Sequence, residues 1–108
     1  MHITQISQDF FVSPQITPAG VTEIANAGFK SIICNRPDFE EPTQPVFNDI
    51  ANAAHDAGLK TAHVPITAMP MPAQIKEMAN AISELPKPIF AYCRSGNRSS
   101  ILFHAANA

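Results

Sequence analysis

Two helix-to-strand junctions of the same form are the feature that most restricts how this chain can fold. The segments Ala27–Lys30 and Ala57–Lys60 both read alanine, glycine, a large apolar residue and lysine. In each, the glycine stands where the C-terminus of a helix favours a positive φ. The likeness does not require a duplication, since any helix–glycine–strand junction selects such residues. It does indicate a regular alternation of helices and strands.

The same alternation continues along the chain. Hydrophobic spacing and helix-start residues predict four helices, which begin near Thr17, Thr43, Pro72 and Ser99. The β-prone runs between them predict four strands, at residues 9–13, 30–35, 59–66 and 89–92. This order is typical of an α/β fold with a mainly parallel central sheet flanked by helices on both faces.

The length and composition fit one domain, residues 1–108. Of these residues 45% are hydrophobic and 15% are charged, and the formal net charge is −2. A chain of this kind can bury enough apolar surface to fold, so disorder is excluded. It offers no basic surface, and we therefore expect neither nucleic acid nor a membrane as a partner.

The chain contains two cysteines, Cys34 and Cys93. Two are too few for a disulfide framework, and their spacing does not match a zinc site. The N-terminus lacks the pattern of a signal peptide, and no apolar run approaches the roughly 20 residues that span a bilayer. We expect a cytoplasmic protein with reduced thiols and with neither metal nor cofactor. The abrupt end of the last helix is compatible with a domain of a longer polypeptide.

The segment Tyr92–Ser99 carries the strongest chemical signal. Cys93 lies between a predicted strand and a predicted helix, where free backbone N–H groups and the helix dipole favour its thiolate. Gly96 allows a tight turn, and Arg98 can bind an anion from the side. Ser99 can cap the helix or donate a hydrogen bond to the thiolate. We therefore predict that Cys93 and Arg98 are catalytic.

The arginines support an anion pocket at the same place. The chain has only three, of which Arg94 and Arg98 lie in the cysteine loop, and Arg36 ends another strand at the same predicted edge of the sheet. Three roles are open for Asp38, Glu40 and Glu41: they supply a catalytic pair, they orient Arg36, or they belong to a solvated loop. The predicted substrate-binding residues are Arg94, Ser95, Gly96, Asn97, Ser99, Arg36 and Asp38.

The loop Tyr92–Ser99 resembles the active loop of single-domain rhodaneses, which carry sulfur as a cysteine persulfide. Four residues separate Cys93 from Arg98, whereas protein tyrosine phosphatases place five between the corresponding residues. The resemblance implies a narrower ring that holds one persulfide sulfur rather than three phosphate oxygens.

The rest of the chain lacks the other rhodanese motifs. Ser13–Thr17, Asn35–Asp38 and the cysteine loop together resemble the bacterial beta-lactamase-hydrolase-like phosphatase-like family. This resemblance covers nearly the whole chain and implies a fold similar to dual-specificity phosphatases. Members are also fused to persulfide dioxygenases, so the resemblance implies such an enzyme, fused or associated, as a candidate partner.

Phosphatase chemistry ordinarily uses a general acid that sulfur transfer does not need. Phosphatases of that architecture protonate the leaving oxygen with an aspartic acid, but the corresponding stretch His63–Pro72 contains no carboxylate. Asp38 is the one available substitute. Sulfur transfer needs no such acid. We therefore predict a sulfurtransferase that moves sulfur from thiosulfate or a small persulfide, through Cys93, to a thiol or cyanide.

Two alternatives stay open. The first is a phosphatase that forms a phosphocysteine at Cys93 and uses Asp38 as its acid. The second is an inactive binding or redox-sensing module. The expected partners are a small anionic sulfur donor and a thiol acceptor. Cys34 is predicted to be a buried apolar residue. Its alternative role is that of a second thiol, which resolves oxidised Cys93.

Overall fold

A five-stranded sheet forms the centre of the molecule. The computed structural model describes residues 2–108. In chain order the strands are β1 (Thr4–Ser7), β2 (Phe10–Ser13), β3 (Ser31–Cys34), β4 (Lys60–His63) and β5 (Ile89–Tyr92). Across the sheet their order is β1-β2-β5-β3-β4. Strand β1 is antiparallel to β2, and the other neighbouring pairs are parallel. The carboxyl ends of β2, β3, β4 and β5 therefore lie at one edge of the sheet.

Four helices cover the sheet. They are α1 (Val21–Asn26), which follows a short 3-10 helix at Pro18–Gly20, α2 (Phe47–Asp56), α3 (Pro72–Glu84) and α4 (Asn97–Ala106). Helices α1 and α2 contact each other, as do α3 and α4. Each pair belongs to a separate apolar cluster, and alternate residues of the central strands divide between the two clusters.

The first cluster joins α1 and α2 to one face of the sheet and includes Ile24, Ile32, Ile50, Phe90 and Tyr92. The second joins α3 and α4 to the other face and includes Phe10, Ile33, Met78, Ala91 and Leu102. In β3, Ile32 and Ile33 enter opposite clusters, as the period of two in a strand requires. The predicted mainly parallel sheet with helices on both faces is confirmed.

Strand β1 is the element that the sequence did not predict. Three of its residues are polar, none is fully buried, and Ile6 alone packs partly against the second apolar cluster. It lies at the edge of the sheet, where it pairs with β2. Periodicity detects strands by their buried side chains, so an exposed edge strand gives little signal.

The ends of the other elements follow local chemistry. The Thr17 hydroxyl accepts a hydrogen bond from the Gly20 N–H at 3.2 Å, as expected for a helix-start residue. Gly28 and Gly58 have φ of 101° and 84°, which confirms their predicted roles as helix ends. Helix α4 begins at Asn97, two residues before the predicted Ser99. No helix within residues 2–108 has the length and apolar character needed to cross a membrane.

Candidate active site

The loop that carries Cys93 is held between β5 and α4. Strand β5 ends at Tyr92, Cys93 follows at once, and α4 begins at Asn97. The Cys93 N–H donates to the Ser13 carbonyl at 3.3 Å, which extends the pairing of β5 with β2. Gly96 turns the chain with φ of 93°, a left-handed conformation that favours glycine. The turn brings the Gly96 N–H to 3.0 Å from the Cys93 sulfur.

Hydrogen-bond donors surround the Cys93 sulfur. The residue is completely buried, and burial alone would raise the pKa of its thiol. Backbone N–H groups of Ser99, Ser95 and Gly96, together with the Ser99 hydroxyl, outweigh burial and hold the pKa of Cys93 below its ordinary value. The buried Ser99 hydroxyl has no partner within ordinary hydrogen-bond limits among residues 2–108. The loop therefore stabilises a nucleophilic thiolate.

Arg98 is fixed by two carboxylate contacts and one carbonyl contact. Its Nη1 donates to Glu40 Oε2 and to the Ile66 carbonyl, each at 2.8 Å, and its Nη2 donates to Glu40 Oε1 at 2.8 Å. A guanidinium has five N–H donors in a rigid plane. The Nε–H and one Nη2–H, which share one edge, have no partner among these contacts. That edge can bind two oxygens of an anion.

Glu40 links Arg98 to Arg36. Its Oε1 also accepts a hydrogen bond from Arg36 Nε at 2.8 Å. The bond from Arg98, reinforced by Arg36, lowers the pKa of Glu40 to about 2 against the cost of burial. Glu40 is therefore ionised at neutral pH, and it positions the Arg98 guanidinium instead of serving as a proton donor.

A second ion pair lies beside the first. Glu41 Oε1 is 3.0 Å from Arg94 Nη2 and 3.6 Å from Arg36 Nη2. Three guanidinium groups and two carboxylates thus leave one net positive charge in this cluster, before the thiolate is counted. The pocket is less cationic than its arginines alone suggest. The side chain of Arg94 is 70% exposed, so its ion pair is screened by water.

An open pocket of about 740 Å³ lies against these residues. Of the predicted site residues, Arg94, Ser95, Asn97 and Arg98 line it. Gly96 and Ser99 belong to the same loop and contact Cys93 instead of the pocket wall. Glu40 and Glu41 complete the charged side, and the segment between β4 and α3 contributes Thr67, Ala68 and Met69.

Arg36 and Asp38 lie away from the pocket wall. Arg36 is 2% exposed, and its Nη1 donates to Gln15 Oε1 at 3.0 Å, so it reaches the pocket only through Glu40 and Glu41. Asp38 Oδ1 accepts the Phe47 N–H at 2.8 Å and thereby fixes the first turn of α2. In this arrangement the Asp38 side chain accepts a free N–H of α2 from a loop nine residues before that N–H, and Val46 precedes the helix.

Of the roles that the sequence left open for Glu40, the structure shows the contact that orients Arg36, and the sequence did not predict its contact with Arg98. Its position four residues after Arg36 was a usable signal, since the two form an ion pair at 2.8 Å. Its contact with Arg98 joins positions 58 residues apart and has no sequence signal. No group of three histidine, cysteine, aspartate or glutamate side chains within residues 2–108 is arranged to hold a metal ion.

Comparison with known sequences points to one family. The family model of the phosphatase-like domain of beta-lactamase hydrolase-like proteins matches residues 2–108. The beta-lactamase hydrolase-like protein of Agrobacterium fabrum is 32% identical over 104 residues, which make up 95% of this chain and 24% of that relative. The chain therefore spans about a quarter of the length of this curated relative.

Solved structures give the same architecture. A candidate phosphatase from Neisseria meningitidis is 38% identical, with a TM-score of 0.87 over 95% of this chain and 74% of that one. The active form of Tk-PTP is 18% identical, with a TM-score of 0.66 over 97% of this chain and 80% of that one. At 18% identity the likeness concerns the fold alone. The expected phosphatase-like fold is confirmed.

Proposed function

Because the chain belongs to the family of the phosphatase-like domain of beta-lactamase hydrolase-like proteins, we propose that it is a cysteine-dependent phosphatase. Its fold is that of the protein tyrosine and dual-specificity phosphatases. The sequence alone favoured sulfur transfer, with phosphatase chemistry as the alternative. The family and the similar structures support the alternative more strongly.

One observation carries this proposal: a stabilised thiolate and an unused guanidinium edge belong to the same loop. The Cys93 sulfur accepts the Gly96 N–H, and Arg98 is held by Glu40 so that its Nε–H and one Nη2–H stay available. The backbone N–H groups at the start of α4 add further donors for an anion. Such an arrangement suits a phosphoryl group, whose three oxygens carry negative charge through the transition state.

The proposed reaction has two steps. The Cys93 thiolate attacks phosphorus, the bond from phosphorus to the leaving oxygen breaks, and a phosphocysteine forms. Water then attacks phosphorus, the phosphorus–sulfur bond breaks, and its electron pair returns to sulfur as inorganic phosphate leaves. Arg98 binds the phosphoryl oxygens in both steps. Ser99 stabilises the thiolate when it departs.

Sulfur transfer is a second candidate, and loop length favours it. Only four residues separate Cys93 from Arg98, and the cluster holds one net positive charge rather than three. Both features suit a singly charged sulfur adduct better than a phosphate dianion. In this candidate the Cys93 thiolate attacks the outer sulfur of thiosulfate, the sulfur–sulfur bond breaks and sulfite leaves. An acceptor thiolate then attacks the outer sulfur of the Cys93 persulfide, which forms the acceptor persulfide and restores the Cys93 thiolate. A cytoplasmic location and a persulfide dioxygenase partner belong to this second proposal.

Mass spectrometry separates the two candidates in one experiment. Protein with Cys93 intact, and the Cys93→Ser variant, are incubated with an aryl phosphate or with thiosulfate and then rapidly quenched. We expect phenol release that requires Cys93, together with a phosphate adduct on the peptide that contains it. A reductant-sensitive gain of one sulfur atom at Cys93, without phenol release, would overturn the phosphatase proposal and establish the second candidate.

A Cys34→Ala variant is the matched control for this experiment. Cys34 is the other cysteine of the chain and is also buried, but it lies in the apolar cluster on the α1 and α2 face. Adduct and turnover should persist in this variant. Loss of both in Cys34→Ala alone would contradict the assignment of Cys93 as the nucleophile.

A further inference from the structure

The pocket is lined by Arg98 and by part of the loop that buries Cys93, and each carboxylate on its wall faces an arginine. Within residues 2–108 the acidic side chains on the pocket wall are Glu40 and Glu41. The segment between β4 and α3, which lines the same pocket, contributes a hydroxyl and apolar groups from Thr67, Ala68 and Met69. A proton donor for a leaving oxygen would have to come from one of the two glutamates.

Glu40 is committed to other partners through both of its oxygens. Oε1 accepts bonds from Arg36 Nε and Arg98 Nη2, and Oε2 accepts from Arg98 Nη1, all at 2.8 Å. Three charged donors around one carboxylate stabilise its ionised form. A proton on either oxygen would displace one of these donors and release the guanidinium that binds the phosphoryl group.

Glu41 is paired through one oxygen only, and its side chain is 42% exposed. Its Oε1 lies 3.0 Å from Arg94 and 3.6 Å from Arg36. Asp38, the other acidic side chain of the same loop, accepts the Phe47 N–H at 2.8 Å and holds the first turn of α2. The carboxylates of this loop therefore serve to position arginines and a helix.

Resting on the proposed phosphatase function, we propose that this site selects phosphoryl donors whose leaving oxygen departs without a proton. Suitable donors are phosphate esters of acidic phenols and phosphoanhydrides, because both release a stable oxyanion. In the first step the electron pair of the breaking bond stays on that oxygen, and no protein group supplies a proton. Phosphate esters of ordinary alcohols are poor substrates, since an alkoxide is a poor leaving group.

The expected size of this selectivity follows from general acid catalysis. A positioned acid contributes typically about 10²–10⁴-fold to the rate. That contribution is absent for every substrate here, and the loss falls most heavily on the least acidic leaving groups. Turnover should therefore depend steeply on leaving-group acidity.

The test measures kcat/KM for a graded series of substrates. The series contains aryl phosphates of decreasing phenol acidity, acetyl phosphate as the anhydride and glycerol phosphate as the alkyl ester. We expect a steep, continuous fall along the aryl series, efficient cleavage of acetyl phosphate, and glycerol phosphate slower by about 10²–10⁴-fold. Cleavage of aryl phosphates but not of acetyl phosphate would show that the ring is recognised and would overturn the inference.

Variants identify any hidden acid. Glu41→Gln should leave the steepness of the series unchanged, and the exposed Glu77→Gln on α3 serves as the matched control. A flat series in the wild type that becomes steep in Glu41→Gln would identify Glu41 as a general acid and overturn the inference. No turnover of any member that requires Cys93 would instead refute the proposed phosphatase function itself.

Discussion

The two cysteines of this protein lie close together and have opposite chemistry. Cys34 ends β3 and pairs with Tyr92 of β5, and Cys93 follows Tyr92 directly. Both residues are buried, at 2% and 0% exposure. Burial raises the pKa of the Cys34 thiol, whereas backbone and hydroxyl donors overcome burial at Cys93 and lower the pKa there.

The difference lies in the balance between burial and hydrogen bonding at each sulfur. The Cys34 thiol donates to the Arg36 carbonyl at 3.3 Å, so it needs its proton. The Cys93 sulfur accepts the Gly96 N–H at 3.0 Å. At Cys34 burial outweighs the hydrogen bonds that lower the pKa, whereas at Cys93 the surrounding donors outweigh burial.

Substitution of each sulfur should give the largest contrast. We expect Cys93→Ser to lower turnover by at least about 10³-fold, because the nucleophile is lost. Cys34→Ala should keep turnover within about twofold and cost about 1 kcal/mol of stability, since it leaves a small cavity. Steady-state kinetics and urea unfolding measure both effects. Equal loss of activity in the two variants would contradict the assignment of different roles to Cys93 and Cys34.

Arginine substitutions test whether Arg98 alone, and not the more exposed Arg94, binds the anion beside Cys93. Arg98→Ala should lower kcat/KM by about 10²–10³-fold, the scale for removal of a preorganised donor. Arg94, whose side chain is 70% exposed, is the matched control, and Arg94→Ala should cost only a few-fold because water screens its charge. A larger loss of kcat/KM in Arg94→Ala than in Arg98→Ala would show that Arg98 is not the main anion-binding arginine.

Glu40→Gln should weaken activity about tenfold, equivalent to about 1.4 kcal/mol in the barrier, because Arg98 loses its charged partner. The pKa of Glu40 falls from 4.5 to about 2 on folding. Its contribution to stability is complete above pH 4.5 and is lost as the pH falls towards 2.

The wild type should therefore lose more stability than Glu40→Gln across this acidic range. Chemical unfolding at a series of pH values measures the difference, with Glu77→Gln as the control. Parallel loss of stability in the wild type and Glu40→Gln would mean that Glu40 does not interact with the arginines in solution.

Two glycines give the smallest and most specific contrast. Gly96 and Gly28 both have a positive φ, at 93° and 101°. Substitution of either by alanine should cost about 1–2 kcal/mol in the free energy of unfolding, because a Cβ is strained in this conformation. Only Gly96→Ala should also lower turnover, since the Gly96 N–H donates to Cys93. Equal turnover in the two variants would show that activity does not depend on the conformation of Gly96.

The sequence predicted the parts of the fold and site that depend on local patterns. Periodic apolar residues and glycine ends identified the four helices and strands β2 to β5. The strand–Cys93–helix junction predicted the residue that we propose as the nucleophile. Strand β1 was missed because it is short and has only one apolar residue, the half-buried Ile6.

Contacts between distant segments could not be predicted in the same way. The bond from Arg98 to Glu40 depends on how two loops meet at the sheet edge. The roles of Asp38 and Arg36 depend on which neighbour each side chain reaches, Phe47 for one and Glu40 for the other. Neither choice has a periodic signal.

The central claim is that the loop around Cys93 makes its sulfur a thiolate while the nearby Cys34 stays protonated. The most direct test measures the alkylation rate of each thiol, resolved by peptide mass. The pH runs from about 5 to about 9, a range that brackets a lowered thiol pKa. The account predicts that Cys93 reacts with an apparent pKa below its ordinary 9.0 and that Cys34 stays unmodified in the folded protein. Two thiols that titrate together, or a Cys93 that reacts only at alkaline pH, would contradict it.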